Sequence, residues 1–358
     1  MPPPAHDSPA GLRHVGISFG RVAHWYDGLG EFSQRLGSEL AARAPELRER
    51  DGLVLHYHLP SQWHGRFGDD VGYLDLHTLH QHIRLRAPLG TQAWIETVHD
   101  LNFLHTKRGA KRERYRARLR HRLATRRRVI AISAHVAGDI GRELAPLQLP
   151  LHVVHNGVTD WSTRERKAIA ALDDGVPFLL HISRMAPSKN IAALIDLAAV
   201  WRDQRFVFAG ADSPYVAEVR RLLAARNLDN VRLAIDIDEG EKAWLYAQCD
   251  GFLFPSWTEG FGLPPLEAMC FGKPVFLSRL TSLPEVGGDA AYYFDEFDGA
   301  AMRRTVEAQL ARHRTEGRGA LALAQARRFS WSRCVDAYVG HYRALLADNA
   351  GARARAAA

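Results

Sequence analysis

The sequence predicts an α/β protein built as two parallel-sheet domains, and three observations lead there. Short apolar, β-branched runs alternate with helical patterns along most of the chain, which implies parallel sheets covered on both faces. The alternation pauses at the polar stretch "TDWSTRERKAIAALDDG" (159–175) and then restarts. At 358 residues, the chain is too long for one ordinary core and suits two domains of roughly 150–180 residues. The pattern therefore reads as two Rossmann-like domains facing each other across a cleft, with residues 1–162 in the first and the second beginning at 163.

Each element follows from a local signal. "RHVGISF" (13–19) reads as a buried strand, followed by a Gly-containing loop and the helical pattern "EFSQRLGSELAARA". "AWIETVHD", "RVIAIS" and "LHVVHNGV" are further strands, each closed by a polar turn. The second series runs "PFLLHISR", "NIAALIDLAAVW", "RFVFAG", "VAEVRRLLAAR", "NVRLAI", "KAWLYAQ", "GFLFPS", "LPPLEAMCFG" and "PVFLS", strand and helix in turn. No internal repeat is present, and the Ala/Arg end "GARARAAA" reads as disordered.

Composition narrows the class. With 46% hydrophobic and 24% charged residues, the chain reads as a soluble globular protein. No apolar run reaches the roughly 18–20 residues that span a bilayer. The Pro-rich start "MPPPAHDSPAG" has no apolar signal core and reads as a frayed cytoplasmic N-terminus. Cys249, Cys270 and Cys334 lack CxxC spacing and read as reduced, packed thiols. Of the net charge of +7, the segment Lys107–Arg128 alone contributes +11, from twelve Lys/Arg and one Glu, which leaves the rest of the chain at −4. One patch makes the protein basic, which argues against a nucleic-acid coat.

The most informative stretch is "PSWTEGFGLPPLEAMCFGKPV" (255–275), in which Glu259 and Glu267 are separated by seven residues that are glycine, proline or apolar. Gly251–Phe254 reads as a strand, and proline at 264 or 265 suits a first helical turn. Glu259 then falls in the loop at the strand's carboxyl end, where open α/β sheets bind ligands, and Glu267 early in the helix. Carboxylates accept paired hydrogen bonds from vicinal hydroxyls, and N–H groups at a helix start suit phosphate oxygens. A solvated turn residue and a helix-start charge explain the bare pair equally well.

The neighbouring stretches resemble glycosyltransferase family 4, retaining enzymes of the GT-B fold. Glu259 and Glu267 form an E-x7-E motif in the setting "PSWTEGFGLPPLEA", followed by "GKPV" and "TSLPEVGGDAAYYFD". A Gly loop near the N-terminus, "VHDL", "VIAIS" and "HISRMAPSKN" match in order, over about residues 13–347. The terminal "FSWSRCVDAYVGHYRALL" is similar to the family's last helix. The resemblance implies that the donor domain ends at 330 and that a helix over 331–350 crosses back to pack on the N-terminal, acceptor-binding domain.

By that resemblance, Glu259 binds hydroxyls of the donor sugar and Glu267 the nucleotide ribose. The backbone N–H groups of Phe261, Gly262 and Leu263 lie near the sugar and diphosphate. Arg184 and Lys189 neutralise the diphosphate, with Ser183 standing where many relatives have glycine. Gly28 and Gly30 stand in the Gly loop, after the first strand and before a helix, where glycine permits close approach to phosphate. His99 matches the active-site histidine that contacts the donor sugar. Asp100 orients the loop or the acceptor, and Asn156 and Gly157 line the cleft or form a plain turn.

The implied activity is transfer of a hexose, mannose or glucose type, from a nucleotide-diphosphate sugar to a hydroxyl of a glycan or lipid-linked acceptor, with retention. Cell-surface polysaccharide or lipopolysaccharide synthesis is the implied setting. No cofactor and no metal are expected. Two other readings stay open: a nucleotide-sugar epimerase on the same scaffold, and a basic scaffold that binds membrane or polymer without catalysis.

The basic segment reads as a helix with Tyr115, Leu119 and Leu123 along one apolar line. Its arginines, among them Arg112, Arg116, Arg120 and Arg127, form either a solvated face or a peripheral contact with an anionic membrane on the cytoplasmic side. No stacking-aromatic or zinc-knuckle pattern accompanies them, so nucleic acid is not an expected partner. Asp236-Ile237-Asp238 imitates a DxD metal site, but the Glu pair fits the metal-independent architecture better. His77, His80 and His82 lack a fourth ligand nearby and read as a polar surface run.

Overall fold

The computed structural model describes residues 12–19, 28–58, 74–81, 91–146 and 148–357. The chain divides into two units, Met1–Gly157 with Trp331–Ala358, and Val158–Ser330. The division falls before the expected boundary at 162, because residues from Val158 belong with the second unit. Val158 bridges Ser330, and Trp161 donates its indole N–H to Glu267 at 2.8 Å.

In the first unit, strands β1 (Arg13–Ser18), β2 (Leu53–His58), β3 (Leu74–Thr78), β4 (Thr91–Val98), β5 (Arg128–Ala131) and β6 (Leu151–Val153) form one sheet in the order β2-β1-β3-β4-β5-β6. Every pairing is parallel. Helices α1 (Gly28–Asp51), α2 (Phe103–Thr106), α3 (Gly109–Ala124) and α4 (Ala134–Glu143) connect the strands. Val15, Ile17, Ile95 and Ile130 of the sheet are buried with Phe32, Leu36 and Leu40 of α1. Val98, Val129 and Ala131 pack instead with Leu119, Leu123, Val136 and Ile140 of α3 and α4. This two-sided burial is the reason the strands read as continuous apolar runs.

The second unit carries strands β7 (Phe178–Ile182), β8 (Arg205–Gly210), β9 (Val231–Ile235), β10 (Gly251–Phe254), β11 (Val275–Ser278) and β12 (Tyr292–Phe294). They pair in parallel in the order β12-β11-β10-β7-β8-β9, the doubly wound arrangement of a Rossmann sheet. Helices α5 (Ile191–Val200), α6 (Pro214–Ala225), α7 (Glu239–Gln248), α8 (Leu263–Met269), α9 (Leu283–Gly287), α10 (Gly299–Thr315) and α11 (Gly319–Arg327) complete it.

The last helix, α12 (Trp331–Ala357), belongs to the first unit. Trp331, Val335, Tyr338, Tyr342 and Leu345 recur at intervals of four and three, forming one apolar stripe buried against α1. Each such side chain removed from water contributes about 1.5–3 kcal/mol. The stripe also carries a polar tie. Tyr342 Oη lies 2.8 Å from His77 Nδ1, and Thr97 Oγ1 lies 2.8 Å from His77 Nε2 and 3.2 Å from Tyr338 Oη. His77 is therefore a fully buried core residue and not part of a surface run, and burial pushes its pKa down to about 3. His80 is half-buried, and His82 lies outside the described residues. The helix continues to Ala357 through the stretch that reads as disordered, since Ala and Arg are both strong helix formers.

Candidate functional site

In the second sheet, β8 and β9 extend one way from β7 while β11 and β12 extend the other way from β10. The chain connections therefore diverge between β7 and β10, and a crevice opens outside the carboxyl ends of these two strands. The loop after β7 carries Arg184 and Lys189, and the loop after β10 carries Glu259. Topology thus brings "HISRMAPSKN" and "PSWTEGFG" to one place.

The β7 loop is held from beneath. His181 is fully buried; its Nδ1 lies 2.8 Å from the Leu253 carbonyl and its Nε2 2.7 Å from Ser183 Oγ. A carbonyl only accepts, so Nδ1 carries the proton and the Ser183 hydroxyl donates to Nε2. Ser183 thus completes the partners of a buried histidine. Burial, with Lys189 nearby, lowers the His181 pKa to about 4, against the opposing pull of the Leu253 carbonyl. Gly210, at the end of β8 with φ 151°, is the other support, since a Cβ there would stand 1.9 Å from the Ser183 carbonyl oxygen.

Arg184 projects from this frame, exposed, and makes no ion pair among the described residues. Lys189 donates to Glu259 Oε1 at 2.5 Å and lies 5.4 Å from the Phe254 ring centroid. An ammonium has three donors, so pairing with Glu259 leaves capacity toward an anion. The β10 loop is pinned at several points. Trp257 N–H donates to Ser188 O, Glu259 N–H donates to Thr281 Oγ1 at 3.1 Å, and Ser282 Oγ donates to the carbonyls of Glu259 and Phe261. Phe261 and Leu263 are buried, and Gly262 enters α8 with φ 108°. These pins hold two carboxylate- or N–H-bearing stretches in fixed geometry before any ligand arrives.

Glu267 has a different environment. Its side chain is 1% exposed and accepts from Trp161 Nε1 (2.8 Å), Lys242 Nζ (2.7 Å) and Tyr246 Oη (2.6 Å). Lys242 also lies 4.3 Å over the Trp161 ring. The carboxylate expected to meet a ribose is thus already satisfied by three protein donors. Sequence reasoning assigned no role to Trp161, Lys242, Tyr246, Thr281 or Ser282; the last two fall in the stretch "TSLPEVGG", next to the Glu motif.

The remaining candidates lie in the first unit. His99, at the end of β4, is buried; its Nε2 donates to the Leu79 carbonyl at 2.8 Å and its ring meets Phe32 edge-on. Its backbone N–H donates to Gln81 Oε1, and Gln81 Nε2 donates to Asp100 O. Asp100 accepts from Asn102 N–H, a local turn contact. Gly28 and Gly30 lie inside the first turn of α1 and not in a loop before it. Gly157 is required by packing: a Cβ would stand 2.3 Å from Trp331 N. Asn156 is buried, with Oδ1 unpaired among the described residues.

The basic segment, α3 and the turn after it, is divided between two tasks. Arg122 and Arg126 reach the fully buried Glu96 of β4 at 2.7 and 2.8 Å, and Arg126 stacks 3.8 Å from the Trp94 ring centroid. Burial raises the Glu96 pKa while both guanidiniums oppose that rise. Arg112 and Arg116 lie near Glu143 at 3.6 and 3.9 Å and are half-buried, whereas Lys111, Arg114, Arg118, Arg120 and Arg127 are exposed. Asp236 accepts from Asp212 N–H, and Asp238 caps α7 in a reciprocal pair with Glu241 while binding Lys167 at 2.5 Å. Local backbone and ion-pair duties account for both aspartates of the DxD-like stretch.

Residues 162–313 match the family described as "Glycosyl transferases group 1". That segment lies within the second unit and contains Arg184, Lys189, Glu259 and Glu267, so the similarity to glycosyltransferases covers the loops just described. The chain is 33% identical over 178 residues to "O-antigen chain mannosyltransferase B" of Escherichia coli, covering 47% of this chain and 46% of that protein. The chain therefore spans less than half the length of that curated relative. It is 25% identical over 293 residues to "GDP-mannose:cellobiosyl-diphosphopolyprenol alpha-mannosyltransferase" of Xanthomonas campestris, covering 78% and 75% of the two chains. Among solved structures, "Sucrose-phosphate synthase (tll1590)" from Thermosynechococcus elongatus superimposes with a TM-score of 0.76 at 17% identity, covering 94% of this chain and 100% of that one. The likeness establishes the GT-B fold of two Rossmann-like domains.

Proposed function

We propose that the chain is a retaining, metal-independent hexosyltransferase that uses a nucleotide-diphosphate sugar, with mannose or glucose favoured, in the synthesis of a cell-surface polysaccharide. One observation carries the reading: within the segment that matches the glycosyl transferases group 1, Arg184, Lys189 and Glu259 converge at the switch point of a doubly wound sheet. The mannosyl relatives point to the sugar and to a glycan or lipid-linked acceptor hydroxyl. The second unit takes the donor and the first the acceptor.

In this reaction the bond between the sugar's anomeric carbon and the phosphate oxygen breaks on the face where the acceptor oxygen bonds. The acceptor proton passes to the departing phosphate. Arg184 and Lys189 stabilise charge developing on the diphosphate, Glu259 orients the sugar hydroxyls, and His99 contacts the sugar. The exposed cations of α3 (Lys111, Arg114, Arg118 and Arg120) serve as a peripheral contact to anionic lipid on the cytoplasmic side. Salt-sensitive binding to vesicles containing phosphatidylglycerol, absent with neutral vesicles, is the expected result; equal binding to both removes that contact.

Thermal unfolding with UDP, GDP and their hexose conjugates, each with and without EDTA, tests the donor site. A nucleotide at 100 times its Kd adds about 2.7 kcal/mol. Stabilisation by one nucleotide family, unchanged by EDTA, is expected. Absence of any shift overturns the reading. Arg184→Ala should lower kcat with an unchanged Tm, because the side chain is exposed and makes no ion pair among the described residues.

A further inference from the structure

Glu267 presents a physical difficulty for a ligand contact. Both of its oxygens are occupied, Oε1 by Trp161 and Lys242 and Oε2 by Tyr246, and its side chain is 1% exposed. A buried carboxylate without partners would be costly, so some cation or donor set must accompany it whenever the site is empty. Its three partners differ in how readily they can leave. Tyr246 is fully buried and Trp161 nearly so, both fixed by packing. Lys242 is 21% exposed, extends from α7 on a flexible four-carbon stem, and lies as a cation over the Trp161 ring.

We infer that Lys242 is an exchangeable counter-ion for Glu267: its ammonium closes the carboxylate in the empty site, and the vicinal hydroxyls of a nucleotide ribose replace it when a donor binds. The inference rests on the donor reading above and extends it to a residue that sets affinity and selectivity for ribose. Trp161 and Tyr246 stay in place and keep the carboxylate aimed. Two adjacent hydroxyls match the exchange: one takes the place on Oε1 that Lys242 leaves, and the other reaches Oε2, which accepts from Tyr246 and has a second lone pair. A nucleotide without those hydroxyls gains nothing by displacing Lys242.

Calorimetric titration of UDP, GDP and their 2′,3′-dideoxy analogues into the full chain and Lys242→Ala tests this. Removing the competitor should tighten binding of the favoured ribonucleotide by roughly three- to tenfold, below the range of a buried charge-assisted hydrogen bond because the Lys242 side chain is partly exposed. The dideoxy analogue should show no gain. Lys242→Gln, which leaves a neutral donor over the carboxylate and disturbs packing less, should fall between. Weaker ribonucleotide binding by Lys242→Ala would make Lys242 a ligand contact and overturn the exchange. An equal gain for both analogues, or no change, would overturn it too. If neither UDP nor GDP binds the unmodified chain, the donor reading itself fails.

Discussion

Replacing His181 with asparagine tests whether the β7 loop rests on a neutral buried imidazole. The group's pKa in the folded protein is about 4, against 6.5 for an exposed histidine. Between those values the unfolded chain binds more protons than the folded one, so stability rises with pH. The contribution is fully present above pH 6.5 and is lost as pH falls toward 4. Integrated across the window, the loss from pH 7 to pH 5 is about 2 kcal/mol, and it reaches about 3 kcal/mol at pH 4. Asparagine keeps an amide that can donate to the Leu253 carbonyl but does not titrate. At pH 7 the variant should be less stable, because Ser183 loses its acceptor and the space beside Phe208 and Phe254 is underfilled. As pH falls to 5, the gap between parent and variant should close by about 2 kcal/mol. Guanidinium unfolding at the two pH values, followed by Trp fluorescence, measures the gap. A constant gap would refute a neutral, load-carrying His181. The subtraction also removes His77 and His341, whose lowered pKa values act in the same direction.

Other outcomes follow from the same geometry. Gly210→Ala places a Cβ 1.9 Å from the Ser183 carbonyl oxygen; it should lower Tm by well over the ~4 °C that 1 kcal/mol commands, and an unchanged Tm would refute the close approach of Gly210 to the Ser183 carbonyl. Glu96→Gln leaves Arg122 and Arg126 facing a neutral group in the core and should cost about 3 kcal/mol, read as a shift in the denaturant midpoint; a loss below 0.5 kcal/mol would make the pair peripheral. Lys189→Met frees Glu259 and should weaken nucleoside diphosphate binding while sparing binding of the free nucleoside, as read by titration.

Much of the fold was legible because it rests on local regularities. Strand–helix alternation from "RHVGISF" to "PVFLS" reflects short apolar runs buried on both faces and helices buried at a period of 3.6, which neighbouring residues along the chain reveal. Glu259 and Glu267, and Arg184 with Lys189, were marked by short motifs at the ends of strands, and the doubly wound strand order then brought the two loops together. The last helix was marked only by its resemblance to a family's last helix, and the structure shows the four-three stripe that holds it. Tertiary structure alone decided how distant side chains pair. The sequence shows Glu267 as one of two similar carboxylates, yet folding brings Trp161, Lys242 and Tyr246, from two other segments, onto it and leaves Glu259 to Lys189. It likewise turned His77 inward to Tyr342, 265 residues away, and divided one run of arginines between the buried Glu96 and solvent. The physical reason is common to all three. Periodicity is set by bonds between neighbours, whereas the satisfaction of a buried polar group depends on which remote donors the closed sheets bring within about 3 Å.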